Sequence, residues 1–171
     1  MKIESTAFTQ KDLQAFLDEM LDRERSLLAD RLERASERLS RVGSRVQAGA
    51  GEDQWTDHEV LAHIAVLSKF YGVLVHKITS GQVDEVDLLG NTNLRDSAGA
   101  QMAKIGPAEL LVMIKADHAR TAKLLRTVEV SALRREVKTE TGRMVTAEYL
   151  ARFPLINHLE QHVTQLETSL T

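Results

Sequence analysis

The 171-residue sequence predicts an all-α fold, a four-helix bundle with a short extra helix between helices two and three. Two observations carry this reading. Four long segments repeat apolar residues at spacings of three and four, the period of a helix with one buried face. No segment shows the strict apolar–polar alternation of a half-buried strand. With two prolines and nine glycines in the whole chain, long helices are seldom interrupted. A single domain over 1–171, with its core about 9–170, suits this length.

The first helix is expected from about Thr9 to Gln47. Leu13, Leu17 and Met20, then Leu28, Leu32, Ala35, Leu39, Val42 and Val46, mark its buried stripe. The register slips between Met20 and Leu28, so a bend or break is expected there. Its polar face places an acid four residues before a base in Glu19–Arg23, Asp30–Arg34 and Glu37–Arg41, the spacing of neighbours one helical turn apart. Interleaved acids make this a solvated face and not an anion-binding patch.

Three glycines in "VGSRVQAGAGEDQ" end that pattern. Thr56 and Glu59 then form a T-x-x-E capping box, and Trp55 stands where it can staple onto Val60. Helix two runs to Thr79, before Gly81, with Val60, Ile64, Leu67, Tyr71, Leu74 and Ile78 as its seam. The connection that follows is too long to be bare loop in a compact domain, so a short helix is expected over 93–104. Pro107 opens helix three, where its fixed φ costs no needed donor, and Leu110, Ile114, Ala122 and Leu125 continue it to about Thr127. Thr146 is a good N-cap for helix four, which runs to about Ser169. Pro154 inside it predicts a kink near Leu150, or a regular helix that begins only there.

Composition excludes several functions. Lys plus Arg is 22 against Asp plus Glu 25, a formal charge of −3, so nothing global points to nucleic acid. No apolar run approaches the ~20 residues that span a bilayer, and the polar start "MKIESTAFTQ" lacks the apolar core of a signal peptide. Zero cysteines exclude disulfides and a thiolate of the chain's own. A cytoplasmic protein is expected.

The six histidines are not equivalent. His58, in the first turn of helix two, is expected to be exposed. His76 faces away from His63, and His118 stands alone on helix three, as a surface or satisfied residue. His158 and His162 are four apart, so with Leu155 and Leu166 they share the inward face of helix four. Such a pair arises by chance as well as by function. Two buried imidazoles need partners for their ring nitrogens, and a divalent metal can take a lone pair from each. His63 in "WTDHEVLAHIAVL" could meet them if helices two and four are neighbours. Three nitrogen ligands with a fourth position for water is the layout of a catalytic metal site. Zinc or nickel suits neutral imidazoles best, with iron and manganese as further candidates. Asp117, Glu59 and Glu160 are candidate acceptors for the outer ring nitrogens by residue type. Arg95, Lys104 and Arg143 lie in connections that could reach the site.

At these residues the sequence resembles the DinB/YfiT-like family of small bacterial metalloproteins. "WTDHEVLAHIA" at 55–65 is similar to that family's Trp, Ser or Thr, and helix bearing "LAH". "TAEYLARFPLINHLEQHVTQL" at 146–166 is similar to its later helix bearing H-x-x-x-H followed by Gln and a hydrophobic residue. "DEVDLLGNTNLRDSAG" before "GPAELL" resembles its acidic, Asn-containing linker. Pro154 and the long first helix depart from the pattern. The resemblance implies a four-helix bundle with a metal held by His63, His158 and His162. It implies a transferase or isomerase acting with a low-molecular-weight thiol such as mycothiol, bacillithiol or glutathione on an electrophilic substrate, and a homodimer. Two alternatives stay open: a metal-activated hydrolase with the same ligands, and a non-enzymatic bundle that binds a ligand or metal.

Overall fold

A computed structural model of the chain describes residues 9–51, 55–88 and 98–171. Four helical rows form the bundle: α1 (Gln10–Gly43), α2 (Asp57–Thr79), α3 (Pro107–Thr127), and a fourth row that opens with a short turn at Ala147 and ends at Ser169. α3 and the fourth row each pack against both α1 and α2. Leu28, Leu32, Leu39, Leu61, Ile64, Ile78, Leu110, Ile114, Leu125 and Leu155 fill the space between them.

The helix starts are well marked, and those of α2 and α3 carry the signals read from the sequence. Thr9 and Asp12 form a capping box for α1, and Thr56 and Glu59 form one for α2. Pro107 sits in the first turn of α3. The break expected between Met20 and Leu28 is absent: α1 is continuous over 34 residues. The register slip has another cause, since Leu13, Leu17 and Met20 are exposed and burial begins at Leu28. Of the expected ion pairs, Glu19–Arg23 forms, whereas Asp30 turns to Arg126 of α3, 2.6 Å away. Arg25 donates to the last carbonyls of α3, at 3.3 Å from Leu125 and 2.6 Å from Arg126, where the helix dipole favours a cation.

Residues 98–102 are helical and fall in the short helix expected over 93–104, whose first part lies outside the described residues. A turn of helix, α4 (Val130–Leu133), leads into a small sheet that the sequence reading did not contain. β1 (Glu85–Val86) pairs parallel with β2 (Glu136–Thr139), and β2 pairs antiparallel with β3 (Met144–Thr146) with Val137 opposite Val145. β2 alternates exposed and buried residues, but four residues are too few for that period to stand out. Gly142 takes φ +79° in the hairpin turn, a conformation other residues resist.

The fourth row has three parts: α5 (Ala147–Leu150), a π-helical stretch over Ala151–Asn157, and α6 (His158–Ser169). Thr146 caps it, accepting from the Tyr149 N–H at 3.0 Å. The row runs through Pro154 without a gap, but α geometry gives way to π geometry directly after Leu150 and the long regular α-helix begins only at His158. The wider π turn absorbs a residue without an N–H, and it ends where His158 begins. Among the described residues, α2 is the one helix long and apolar enough to cross a membrane, and 61% of its apolar window is buried in the bundle.

Candidate metal centre

α2 and the fourth row are neighbours, so the condition for a histidine trio is met. His63, His158 and His162 each offer a ring nitrogen, and these atoms lie within 4.8 Å of one another. The ring centroids are 5.4 Å apart for His63–His158, 5.0 Å for His63–His162 and 4.5 Å for His158–His162. All three side chains are half-buried. Among the described residues this is the one group of three or more histidines and carboxylates close enough to hold an ion, and no carboxylate joins it.

Nε2 of His162 faces Nε2 of His158 at 2.8 Å. Two lone pairs cannot face each other at that distance, so a proton or a cation must stand between them. Nδ1 of His162 lies 2.9 Å from Oε1 of Gln165, one turn on. That oxygen accepts only if Nδ1 carries the hydrogen, which leaves the lone pair on Nε2, directed at the other rings. The donor set fits a divalent metal that accepts imidazole nitrogen.

Gln165 is the acceptor that the sequence reading missed; its signal is the i+3 spacing from His162. The carboxylates suggested for that role are engaged elsewhere. Glu160 holds Arg31 at 2.5 and 3.0 Å, Asp117 pairs with Arg120, and Glu59 accepts from the Thr56 and Gly51 N–H groups at 2.8 and 3.1 Å. The hydrogen bonds to Glu59 hold its carboxyl below the usual range. Arg31 also donates to Asn157 Oδ1 at 2.7 Å, so one guanidinium from α1 holds the side chains of Asn157 and Glu160, on either side of His158. Trp55 does not staple onto the core. Its exposed ring tilts against His63 with centroids 4.8 Å apart, which makes it a wall of the trio.

Of the remaining histidines, His58 is buried and not exposed as expected. Its Nε2 donates to the Ile105 carbonyl at 2.8 Å and its Nδ1 lies 3.2 Å from the Gly49 backbone, both in connections that fold over the start of α2. His76 is exposed, between α2 and α3. His118 is buried, with Nε2 at 2.8 Å from the Ser68 hydroxyl and no hydrogen-bond partner for Nδ1. Burial pushes its pKa down to about 4. Lys104 and Arg143 are exposed, Lys104 bonded to Gln101, and Arg95 lies outside the described residues.

No family model and no curated protein sequence matches the chain. Solved structures do. The mycothiol-dependent maleylpyruvate isomerase superposes with a TM-score of 0.64 at 24% identity, over 87% of this chain and 60% of that one. This chain therefore spans less than two thirds of the isomerase. YfiT from Bacillus subtilis, described as a probable metal-dependent hydrolase with an unusual four-helix bundle topology, superposes with a TM-score of 0.53 at 15% identity, over 98% of this chain and 93% of that one. The chain has the DinB/YfiT-like four-helix-bundle fold.

Proposed function

We propose that the chain is a metal-dependent enzyme of the cytoplasm, a transferase or isomerase that takes a low-molecular-weight thiol as cosubstrate and delivers it to an electrophile. The observation that carries this reading is the trio itself: three imidazole nitrogens within 4.8 Å of one another, with no fourth ligand among the described residues. A three-ligand set leaves room for a small molecule, where a structural site would close with a fourth residue. A divalent cation there, with zinc or nickel the best match and iron or manganese further candidates, supplies Lewis acidity that lowers the pKa of a thiol or of water.

The chain's own residues have defined parts in this. Gln165 fixes the tautomer of His162. Arg31 steadies the turn that carries His158 through Asn157 and Glu160. Trp55 shields one side of His63. The chain has no cysteine, so a sulfur nucleophile has to come from a cosubstrate such as mycothiol, bacillithiol or glutathione. The mycothiol dependence of the isomerase it resembles in fold supports this choice.

One observation favours a second reading, a metal-dependent hydrolase. YfiT, so described, matches over nearly the whole of both chains, whereas the isomerase has two fifths of its length with no counterpart here. Elemental analysis of the purified protein and of His63→Ala and His158→Ala tests the premise that both readings share. One ion per chain, lost in both variants, is expected; full occupancy in either variant overturns it. Conjugation of a model electrophile, assayed with each of the three thiols in turn, then separates the readings. Turnover with one of them supports the transferase; ester or amide hydrolysis without any thiol supports the hydrolase.

A further inference from the structure

α2 is apolar on more of its circumference than the bundle covers. Ile64, Tyr71, Val75 and Ile78 are buried in the core. Val66 and Val73 stand ~180–200° round the helix from Ile64. With Phe70 they make a second apolar face, on which Val66 and Phe70 are half-buried and Val73 is 46% exposed. A helix that is apolar on opposite sides needs cover on both. The two described parts of the connection to α3 lie over this outer face. One starts at the last turn of α2, where the Gln82 N–H donates to the Lys77 carbonyl at 2.9 Å. The other ends at its first turn, where His58 donates to the Ile105 carbonyl at 2.8 Å. Val86 and Met102 from this connection, and Met113 of α3, do not close down on α2. They wall a cavity of about 700 Å³ over Val66, Phe70 and Val73.

A second cavity, of about 260 Å³, lies between α2 and α3 and shares Lys69 and Val73 with the first, so the two adjoin. Its lining is polar, with His76 on the α2 side and Asp117, Arg120 and Thr121 on the α3 side. Arg120 pairs with Asp117, so those two charges cancel. Lys69 has no ion-pair or hydrogen-bond partner among the described residues, which leaves one uncompensated positive charge where the cavities meet. The other charged residues of the apolar cavity are Lys77, Glu85 and Asp87. They lie at or just beyond the C-terminal end of α2 in the chain and sum to one negative charge. An anion is therefore steered away from that end and toward Lys69.

We propose that the two cavities form one binding site for a medium-chain carboxylate, its alkyl chain over Val66, Phe70 and Val73 and its head at Lys69, where the α2–α3 cleft opens. The size fits, because sites for single small molecules hold ~300–1,000 Å³ and pair a mainly apolar lining with a few polar groups. The length fits as well, since α2 rises ~12 Å between Lys69 and Lys77, room for an alkyl chain. Met102 and Met113 supply flexible side chains that adapt to such a chain. Charge selects the head. One surplus cation matches a monoanion, whereas a doubly charged phosphate monoester leaves a charge unpaired beside an apolar wall, and an alkylammonium sets its charge against Lys69. None of the three histidines of the metal centre lines either cavity, so this site works without an ion bound there.

Isothermal titration of the full chain with decanoate and with decylammonium tests this, with metal chelated so that no carboxylate can bind an ion at the histidines. One decanoate per chain is expected, bound at least tenfold more tightly than decylammonium. Lys69→Glu reverses the charge at an exposed position and is expected to invert that preference. Val73→Asp, in the wall that the two cavities share, is expected to weaken decanoate at least tenfold with unchanged helical circular dichroism. Val112→Asp, at an exposed apolar site on α3 outside both cavities, is expected to leave binding unchanged. No saturable decanoate binding up to 2 mM overturns the proposal. So does decylammonium bound as tightly as decanoate, a preference that Lys69→Glu leaves as it was, native affinity in Val73→Asp, or binding that Val112→Asp removes.

Discussion

His118 makes stability depend on pH in a way that can be calculated. The imidazole is 2% exposed, it shares one hydrogen bond with Ser68, and burial lowers its pKa from 6.5 to about 4. The sign follows from linkage: the unfolded chain takes up a proton at this residue below pH 6.5, while the folded chain resists until about pH 4. The contribution is absent above pH 6.5. It destabilises progressively between those limits and reaches about 3 kcal/mol below them, at ~1.4 kcal/mol per unit. At pH 5 the loss is about 2 kcal/mol. Urea denaturation at pH 7.5 and pH 5.0, with metal chelated, measures it. The comparison is with Ser68→Ala/His118→Leu, which removes both polar partners and so strands neither. The other titrating groups are common to both proteins and cancel in the difference. The native protein is expected to lose about 2 kcal/mol more than the variant between the two pH values. Equal losses would refute the reasoning, because they would mean that the buried ring is protonated as easily folded as unfolded.

Other consequences are equally open to measurement. Gln165→Leu frees the tautomer of His162 and is expected to weaken metal binding about 10–100-fold, read from quenching of Trp55, the chain's one tryptophan, by nickel or cobalt. Arg31→Ala removes the half-buried grip on Asn157 and Glu160 and is expected to cost about 1–2 kcal/mol in urea denaturation. Gly72 packs against α3 so closely that an added Cβ would lie 2.5 Å from the Thr121 hydroxyl oxygen. Gly72→Ala should therefore lower the melting temperature in spite of alanine's helix preference, and Thr121→Ala in the same chain should restore it. Leu155→Ala, on the buried face of the π stretch, is expected to destabilise by about 2–5 kcal/mol in urea denaturation.

Most of the bundle was legible because its signals are local. A T-x-x-E pair fixes where α2 starts, and a proline after glycine fixes α3, whatever the rest of the chain does. The histidine trio was legible for a related reason. His158 and His162 share a face by spacing alone, and adding His63 required only that two rows be adjacent. What escaped depends on partners far away in sequence. His58 is buried by Gly49 and Ile105, which no periodicity on α2 reveals. Trp55 had a good staple position but found the His63 ring instead. Carboxylates looked like natural acceptors for the histidines, yet arginines on α1 and α3 claim two of them, and an uncharged glutamine serves. Pro154 signals that regular α geometry fails nearby, but not that a π stretch carries the chain through it. The slip in α1 recorded the point where the helix leaves solvent for the bundle, and periodicity cannot tell that from a bend.

The most direct test is X-ray absorption at the zinc edge of the protein reloaded with one equivalent of zinc. Three imidazole nitrogens at about 2.0–2.1 Å, with one lighter ligand completing four, are expected, falling to two imidazoles in His63→Ala. A native spectrum with fewer than three imidazoles, or one that the loss of His63 leaves unchanged, would contradict the convergence of the three rings on a single ion.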